Sequence, residues 1–198
     1  FSYLTKLRSF SLKFESYYFP GIKAFLSTIK IFKYMQQLRL NFSYVSNFDD
    51  NFYVLLTQSL SKLMLLEDLS LTFIGVSKPL NNGTTSLGVT LLKLKSLRKV
   101  EIKYEKCLGL LNVSLQELFR AFWSLRDLIS LKLEIIQDDS ESHMNPKIFY
   151  SLCKSILQLK KLRCLLIRSN FLSEKLCSLA QNCAVASPEL RDVIIKRN

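Results

Sequence analysis

A repeated apolar pattern organises the whole sequence of 198 residues. The pattern is Leu-x-x-Leu-x-x-Leu-x-Leu-x-aromatic, and its first copy is written by Leu4, Leu7, Phe10, Leu12 and Phe14. Copies begin at residues 4, 32, 63, 94, 125, 159 and 187, so the spacings are 28, 31, 31, 31, 34 and 28 residues. A period of this size indicates stacked supersecondary units, because one unit cannot bury its apolar face alone. The sequence therefore predicts seven units in one array.

Each unit combines two periodicities. The last apolar positions alternate with a period of two, which is typical of a half-buried strand, and the remaining stretch has helical spacing, as in Leu115, Leu118 and Phe122. We therefore predict an α/β solenoid, a curved parallel sheet with helices on its outer side. Its strands are expected near residues 8–14, 36–42, 67–73, 98–104, 129–135, 163–168 and 191–196.

The last inward position of the first four strands is aromatic. Phe42, Phe73 and Tyr104 should therefore be buried next to one another. Two longer segments follow strands, Ile74–Ser86 with its Asn-Asn-Gly turn signal and Ile136–Pro146 with its acidic run. We expect both to be loops at the edge where the strands end.

The units resemble leucine-rich repeats, and their period with a full helix resembles the ribonuclease-inhibitor-like class. The segment from Leu162 to Leu172 fits that family pattern best, with Asn170 where the family's asparagine bonds the turn after the strand. The first five units depart from the pattern at this position. The resemblance implies an architecture and partner binding. We expect residues 1–198 to be a fragment of one such domain that lacks its terminal caps.

The composition favours an acidic partner and an intracellular location. Lys and Arg number 28 against 16 Asp and Glu, a net charge of +12. No apolar run is long enough to predict a membrane span. The five cysteines form no CxxC pair, which favours small buried residues in a reducing compartment. We expect a cytoplasmic or nuclear protein that is not secreted.

The sequence has few parts for an enzyme. His143 is its single histidine, in a polar loop beside Asp138, Asp139 and Glu141, with no second histidine or cysteine at ligand spacing. We expect no catalytic residue, no metal and no cofactor. Trp123, the single tryptophan, is expected in the core.

Sorting the repeat positions by direction gives two candidate surfaces. Strand residues between the inward ones should form a concave face with seven basic and four acidic residues. The loops before the strands carry ten basic residues against three acidic ones and should form a basic edge. The candidate concave-face residues are Arg39, Asn41, Lys99, Glu101, Lys103, Lys132, Glu134 and Arg168, and those of the basic edge are Lys95, Arg98, Arg126, Lys160, Lys161 and Arg163.

Three functions fit this pattern. The first is a non-enzymatic module that binds a protein with an acidic surface on the concave face. The alternative is a scaffold subunit of a ribonucleoprotein or cytoskeletal assembly, whose basic edge contacts RNA phosphates or an acidic strip. The same basic residues could instead only stabilise helix C-termini. The third function, a substrate-receptor subunit similar to F-box leucine-rich-repeat proteins, would need adaptor-binding helices outside these residues.

Overall fold

Strands and helices alternate along the chain. The computed structural model describes residues 6–15, 20–107, 110, 112–137, 145–170, 172–185 and 189–197. These residues form seven strands and six helices. In chain order they are β1 (Ser9–Glu15), α1 (Ile22–Ile29), β2 (Gln37–Ser43), α2 (Asp50–Leu60), β3 (Asp68–Ile74), α3 (Asn81–Leu91), β4 (Lys99–Glu105), α4 (Asn112–Phe122), β5 (Ser130–Ile136), α5 (Pro146–Gln158), β6 (Cys164–Ser169), α6 (Glu174–Val185) and β7 (Asp192–Lys196).

The seven strands form one parallel sheet in the order of the sequence, β1 to β7. Every predicted strand is confirmed, but each begins one residue later than expected. The carbonyl of the residue before each strand instead accepts hydrogen bonds from the next unit. The Arg98 carbonyl accepts hydrogen bonds from the amides of Ile129 (2.7 Å) and Ser130 (3.0 Å). The same pair of hydrogen bonds recurs between the other units.

One face of the sheet carries the core. Alternate strand residues such as Leu38, Leu69 and Val100 are buried in register with one another. Helices cover this face, and each helix packs against the next one along the array. The predicted helical stripe of Leu115, Leu118, Phe119 and Phe122 is buried in the same cluster. The fold is therefore an α/β array of strand–helix units, compatible with a repeat solenoid.

The predicted aromatic stack is confirmed. The ring centroids of Phe42 and Phe73 are 5.5 Å apart and those of Phe73 and Tyr104 are 5.4 Å apart, with the rings nearly parallel. Phe14 extends the stack by stacking on Phe42 at 5.0 Å. Phe42, Phe73 and Tyr104 are fully buried. One side chain from each of four successive units therefore ties those units together.

A small polar network lies within this apolar core. The hydroxyls of Tyr53 and Tyr104 share a hydrogen bond of 2.6 Å, and the Thr84 hydroxyl lies 3.3 Å from that of Tyr104. Burial raises the pKa of both tyrosines above the ordinary value. The nearby Cys107 thiol donates to the Phe73 carbonyl at 3.3 Å, and burial raises its pKa to about 11. The network stays neutral and fully bonded, which is the condition under which polar groups are tolerated in a core.

The predicted loop at Ile74–Ser86 is wrong in its second half, because α3 begins at Asn81. The carboxylate of Asp50 on α2 accepts the amides of Asn82 (3.0 Å) and Gly83 (2.6 Å), which provides the missing acceptors for the first turn. A side chain at position 83 would clash, because a Cβ would lie 2.3 Å from the Tyr53 ring, so glycine fits here. The other predicted loop lies mostly outside the described residues, and α5 begins at its last residue, Pro146.

Candidate binding surfaces

The second face of the sheet is not covered by any described helix or strand, and we call it the open face. It consists of the strand residues that alternate with the buried ones, from Ser9 in β1 to Lys196 in β7. All eight candidate concave-face residues lie on it. Arg39, Lys99, Lys132 and Arg168 are exposed, and Asn41, Glu101, Lys103 and Glu134 are partly exposed.

The strand register places these side chains in rows across the open face. Lys103 lies beside Glu134, and Glu134 beside Arg168. The Glu134 carboxylate is 3.9 Å from the Lys103 ammonium and 3.6 Å from the Arg168 guanidinium. In β2 and β3, Arg39 forms a salt bridge of 3.1 Å with Asp68. Both of these carboxylates are therefore neutralised by the face's own cations.

Two central cations of the open face differ from the rest. Lys99 and Lys132 form no salt bridge with any residue that the structure describes. They lie on the adjacent strands β4 and β5 near the middle of the sheet. Lys196, at the end of β7, is also exposed and has no salt bridge within the described residues, so the unpaired positive charge lies at the centre of the open face and at its last strand.

Cys164 also lies on the open face, so the expectation that all cysteines are buried is wrong for this residue. It occupies an outward position of β6, half-buried, and its thiol donates to the Asp192 carboxylate at 3.5 Å. Burial and this hydrogen bond raise its pKa, while Lys132 and Lys99 act in the opposite sense. Cys107 and Cys153 are buried as expected.

The basic edge is the row of segments that precede the strands. Its six candidate residues are all exposed: Lys95, Arg98, Arg126, Lys160, Lys161 and Arg163. The repeated carbonyl hydrogen bonds described above hold these segments side by side. The residues that precede β4 and β6, Arg98 and Arg163, occupy equivalent positions in this ladder. The edge is thus a continuous, ordered surface rather than a set of independent loops.

The cations of the basic edge are only partly neutralised. Lys161 binds Asp127 at 2.5 Å, and this hydrogen bond and the ammonium charge lower the pKa of Asp127. Arg163 lies 4.0 Å from Glu189. Lys95 and Lys160 form no salt bridge within the described part of the chain. Of the six, Arg126 donates to a carbonyl at a helix C-terminus, that of Gln158, at 3.3 Å.

The sequence prediction that Trp123 lies in the core is wrong. Its side chain is 54% exposed, and the Arg126 guanidinium lies 5.6 Å from the ring centroid. The residue directly follows Phe122, which fills the inward position at the end of α4, and Leu125 fills the next one. One residue rotates a helix by about 100°, so Trp123 points away from the core. Helical phase from Phe122 was the signal that could have placed it.

The acidic loop with His143 lies outside the described residues. None of the helices that the structure describes has the length and apolar character needed to cross a membrane. No protein-family model matches the sequence, and a search of curated proteins finds no significant match.

Proposed function

We propose that this chain is a leucine-rich-repeat protein of the ribonuclease-inhibitor-like class that binds a partner protein on its open face without catalysing a reaction. Asn170 supports the family assignment. Its side-chain oxygen accepts the Gln137 amide at 3.1 Å, and its side-chain nitrogen donates to the Gln137 carbonyl. The asparagine after β6 thus joins the end of the preceding strand, as the resemblance implies.

The observation that carries the binding proposal is the exposed face of an all-parallel sheet. Parallel sheets are normally covered on both faces, because their connections place helices there. Here the helices pack in one layer, and the outward residues of β2 to β6 remain partly or fully exposed except for the buried Ser43 and Asp68. A surface that the connections leave free for a second layer is suited to a partner.

The dimensions of the open face fit a protein partner. Seven strands separated by about 4.8 Å span roughly 29 Å, and seven residues at about 3.3 Å each span roughly 20 Å. The product, roughly 600 Å², approaches the roughly 800 Å² that each partner contributes to a standard interface. Hydrogen-bonded strands hold this surface rigid, which lowers the entropic cost of binding.

The charges of the open face select an acidic partner surface. Lys99 and Lys132 are the central cations that form no salt bridge within the described residues, even though an acidic residue, Asp68 or Glu101, lies beside each of them in the register, so their charge is open to partner carboxylates. Arg39 and Arg168 are each shared with an acid of the face. Specificity therefore resides in the centre of the face, and the paired side chains surround it.

A matched charge reversal tests the proposal. In affinity capture from the source cell, Lys99→Glu with Lys132→Glu should remove the bound protein, while Lys95→Glu with Lys160→Glu on the basic edge should retain it. Both variants change the charge equally at exposed lysines without a salt bridge, so their folds should stay intact. Nuclease treatment should leave the capture unchanged. Retention by the open-face variant would refute the proposal.

The scaffold function remains the second candidate because Lys95 and Lys160 are exposed and unneutralised on an ordered edge. Such a subunit would use the basic edge to contact RNA phosphates or an acidic protein strip. It predicts the opposite pattern in the same experiment. Capture would survive the open-face reversal and be lost with the edge reversal.

A further inference from the structure

A groove on the helical side of the molecule lies between the C-terminal halves of α4 and α5. Arg120, Trp123, Ser151, Lys154, Leu157 and Gln158 line it, and it encloses about 470 Å³. This volume is within the range of roughly 300–1,000 Å³ found for small-ligand sites. The groove belongs to neither surface described above, although it adjoins the basic edge through Arg126.

We propose that this groove binds single-stranded nucleic acid, with one base stacked on Trp123 and neighbouring phosphates held by Arg126 and Lys154. The proposal concerns a different surface from the open face and does not rest on the function proposed there. It is carried by three observations, namely exposed rings with cations over them, the charge of α5 and continuity with the basic edge.

The exposed ring of the groove, Trp123, has a cation over one face, and Tyr150, which lines the neighbouring cleft between α5 and α6, is paired with a cation in the same way. Arg126 lies over Trp123, and the Lys154 ammonium lies 4.9 Å from the centroid of the Tyr150 ring, which is 49% exposed. An aromatic ring has two faces, and a cation takes one of them. The pairing holds the ring in place and leaves the second face for a base. Stacking of this kind contributes about 1–3 kcal/mol per base and accepts any base.

The outer side of α5 is positively charged along its length. Lys147, Tyr150 and Lys154 are exposed at helical spacing, and the helix contains no Asp or Glu. Two acids lie near the groove, and each is already engaged. Glu117 binds Arg120 at 3.1 Å, and Asp127 binds Lys161. A polyanion lying along α5 therefore meets lysines without a competing free carboxylate among these residues.

Arg126 connects the groove to the basic edge. Its guanidinium lies over Trp123 and donates to the Gln158 carbonyl at the end of α5. The exposed Lys160 and Lys161 follow two and three residues later. A strand whose base occupies the groove can continue its phosphates along these cations. This combination of a cationic track and a ring is the arrangement by which single strands are bound without sequence readout.

The groove is less suited to a protein helix or to a nucleic acid duplex. An amphipathic helix needs a stripe of apolar anchors, whereas Trp123 and Leu157 are the only apolar side chains among the lining residues of this groove. In a duplex the flat faces of the bases are stacked on one another and cannot reach Trp123.

The single tryptophan of the chain makes the proposal directly testable. A short oligouridine should quench the Trp123 fluorescence, and the matching RNA duplex should quench it much less. In anisotropy measurements with labelled oligouridine, Trp123→Ala should weaken binding by about 5-fold to 150-fold, the range that corresponds to one stacked base. Trp123→Phe should retain most of the affinity, since a smaller ring still stacks.

Charge variants separate stacking from nonspecific attraction. Lys154→Gln should reduce the slope of log affinity against log salt by about 0.7, the value for one phosphate contact in a single strand. Lys23→Gln, an exposed lysine on the distant α1, is the control and should leave the affinity for oligouridine unchanged. Polyglutamate of the same charge should compete weakly.

Three results would overturn the proposal. The first is equal affinity for duplex and single-stranded RNA, and the second is a Trp123→Ala affinity within about twofold of the parent chain, where stacking predicts a loss of at least about 5-fold. The third is competition by polyglutamate that equals competition by oligouridine. The last result would assign the groove to an acidic peptide. Trp123 is largely exposed, so its variants should fold, and circular dichroism of each variant confirms this before binding is measured.

Discussion

Phe73→Ala tests whether the aromatic stack holds the units of the array together. The Phe73 ring is fully buried against four others, with centroids at 5.5 Å from Phe42, 5.5 Å from Phe48, 4.6 Å from Tyr53 and 5.4 Å from Tyr104. Truncation of a buried Phe to Ala costs about 3–5 kcal/mol. Aromatic pairs add about 0.5–1.5 kcal/mol each beyond burial, so we expect the upper part of that range, about 4–5 kcal/mol.

The assay is thermal and urea unfolding followed by circular dichroism. For a chain of this size each kcal/mol lowers the Tm by about 2–4 °C, so Phe73→Ala should lower it by roughly 8–20 °C. Phe14→Ala should cost less, because Phe14 lies in the edge strand β1 and is 7% exposed, whereas Phe73 is fully buried between two strands. Tyr34→Ala, at a side chain that is 55% exposed, is the surface control. A Phe73→Ala transition that coincides with that of Tyr34→Ala would refute the reasoning.

Three further predictions concern the core. Gly88→Ala should destabilise the fold strongly in urea unfolding, because a Cβ at this position would lie 2.8 Å from the Glu117 carbonyl oxygen on α4. Val89→Ala, at the exposed neighbouring residue, is the control. Tyr53→Phe should lower the free energy of unfolding by about 1–3 kcal/mol, because the Tyr104 hydroxyl loses one of its hydrogen-bond partners. The double variant Tyr53→Phe with Tyr104→Phe should cost less than the sum of the two single variants. Additive costs in this double-mutant cycle would show that the hydroxyls do not interact. Stability should fall as the pH rises past about 9 to 10, the ordinary pKa range of Cys and Tyr. The fold raises the pKa of Cys107, Tyr53 and Tyr104, so the unfolded chain releases these protons first. A urea midpoint that stays constant from about pH 8 to about pH 11 would contradict this.

The repeat made the strands and the aromatic stack predictable. Position in a unit determines the direction of a strand side chain, so Phe42, Phe73 and Tyr104 could be assigned to one column from the sequence alone. The same logic assigned Arg39, Lys99, Lys132 and Arg168 to outward strand positions, where they are exposed. It applies wherever a residue's surroundings are those of its counterpart in the next unit.

The errors arose where a residue depends on a partner outside its own unit's pattern. Asn82 and Gly83 suggested a turn by their own preferences, but the Asp50 carboxylate from the preceding helix provides the acceptor that starts α3. Trp123 was placed in the core by composition, although its helical phase turns it outward beside Arg126. The pairing of Glu134 with Lys103 and Arg168 also depends on contacts between units.

The strict neighbour-to-neighbour packing makes the length of this protein an adjustable property. Leu38 lies beside Leu69 and Leu69 beside Val100, so from β2 to β5 the columns of the sheet recur every 31 residues. Removal of residues 68–98 would join Glu67 to Lys99 and bring β2 beside β4 with every inward column still aligned. An insertion of one period would do the reverse. Recombination in whole periods would therefore widen or narrow the sheet in whole steps, with new contacts only between the units that meet at the junction.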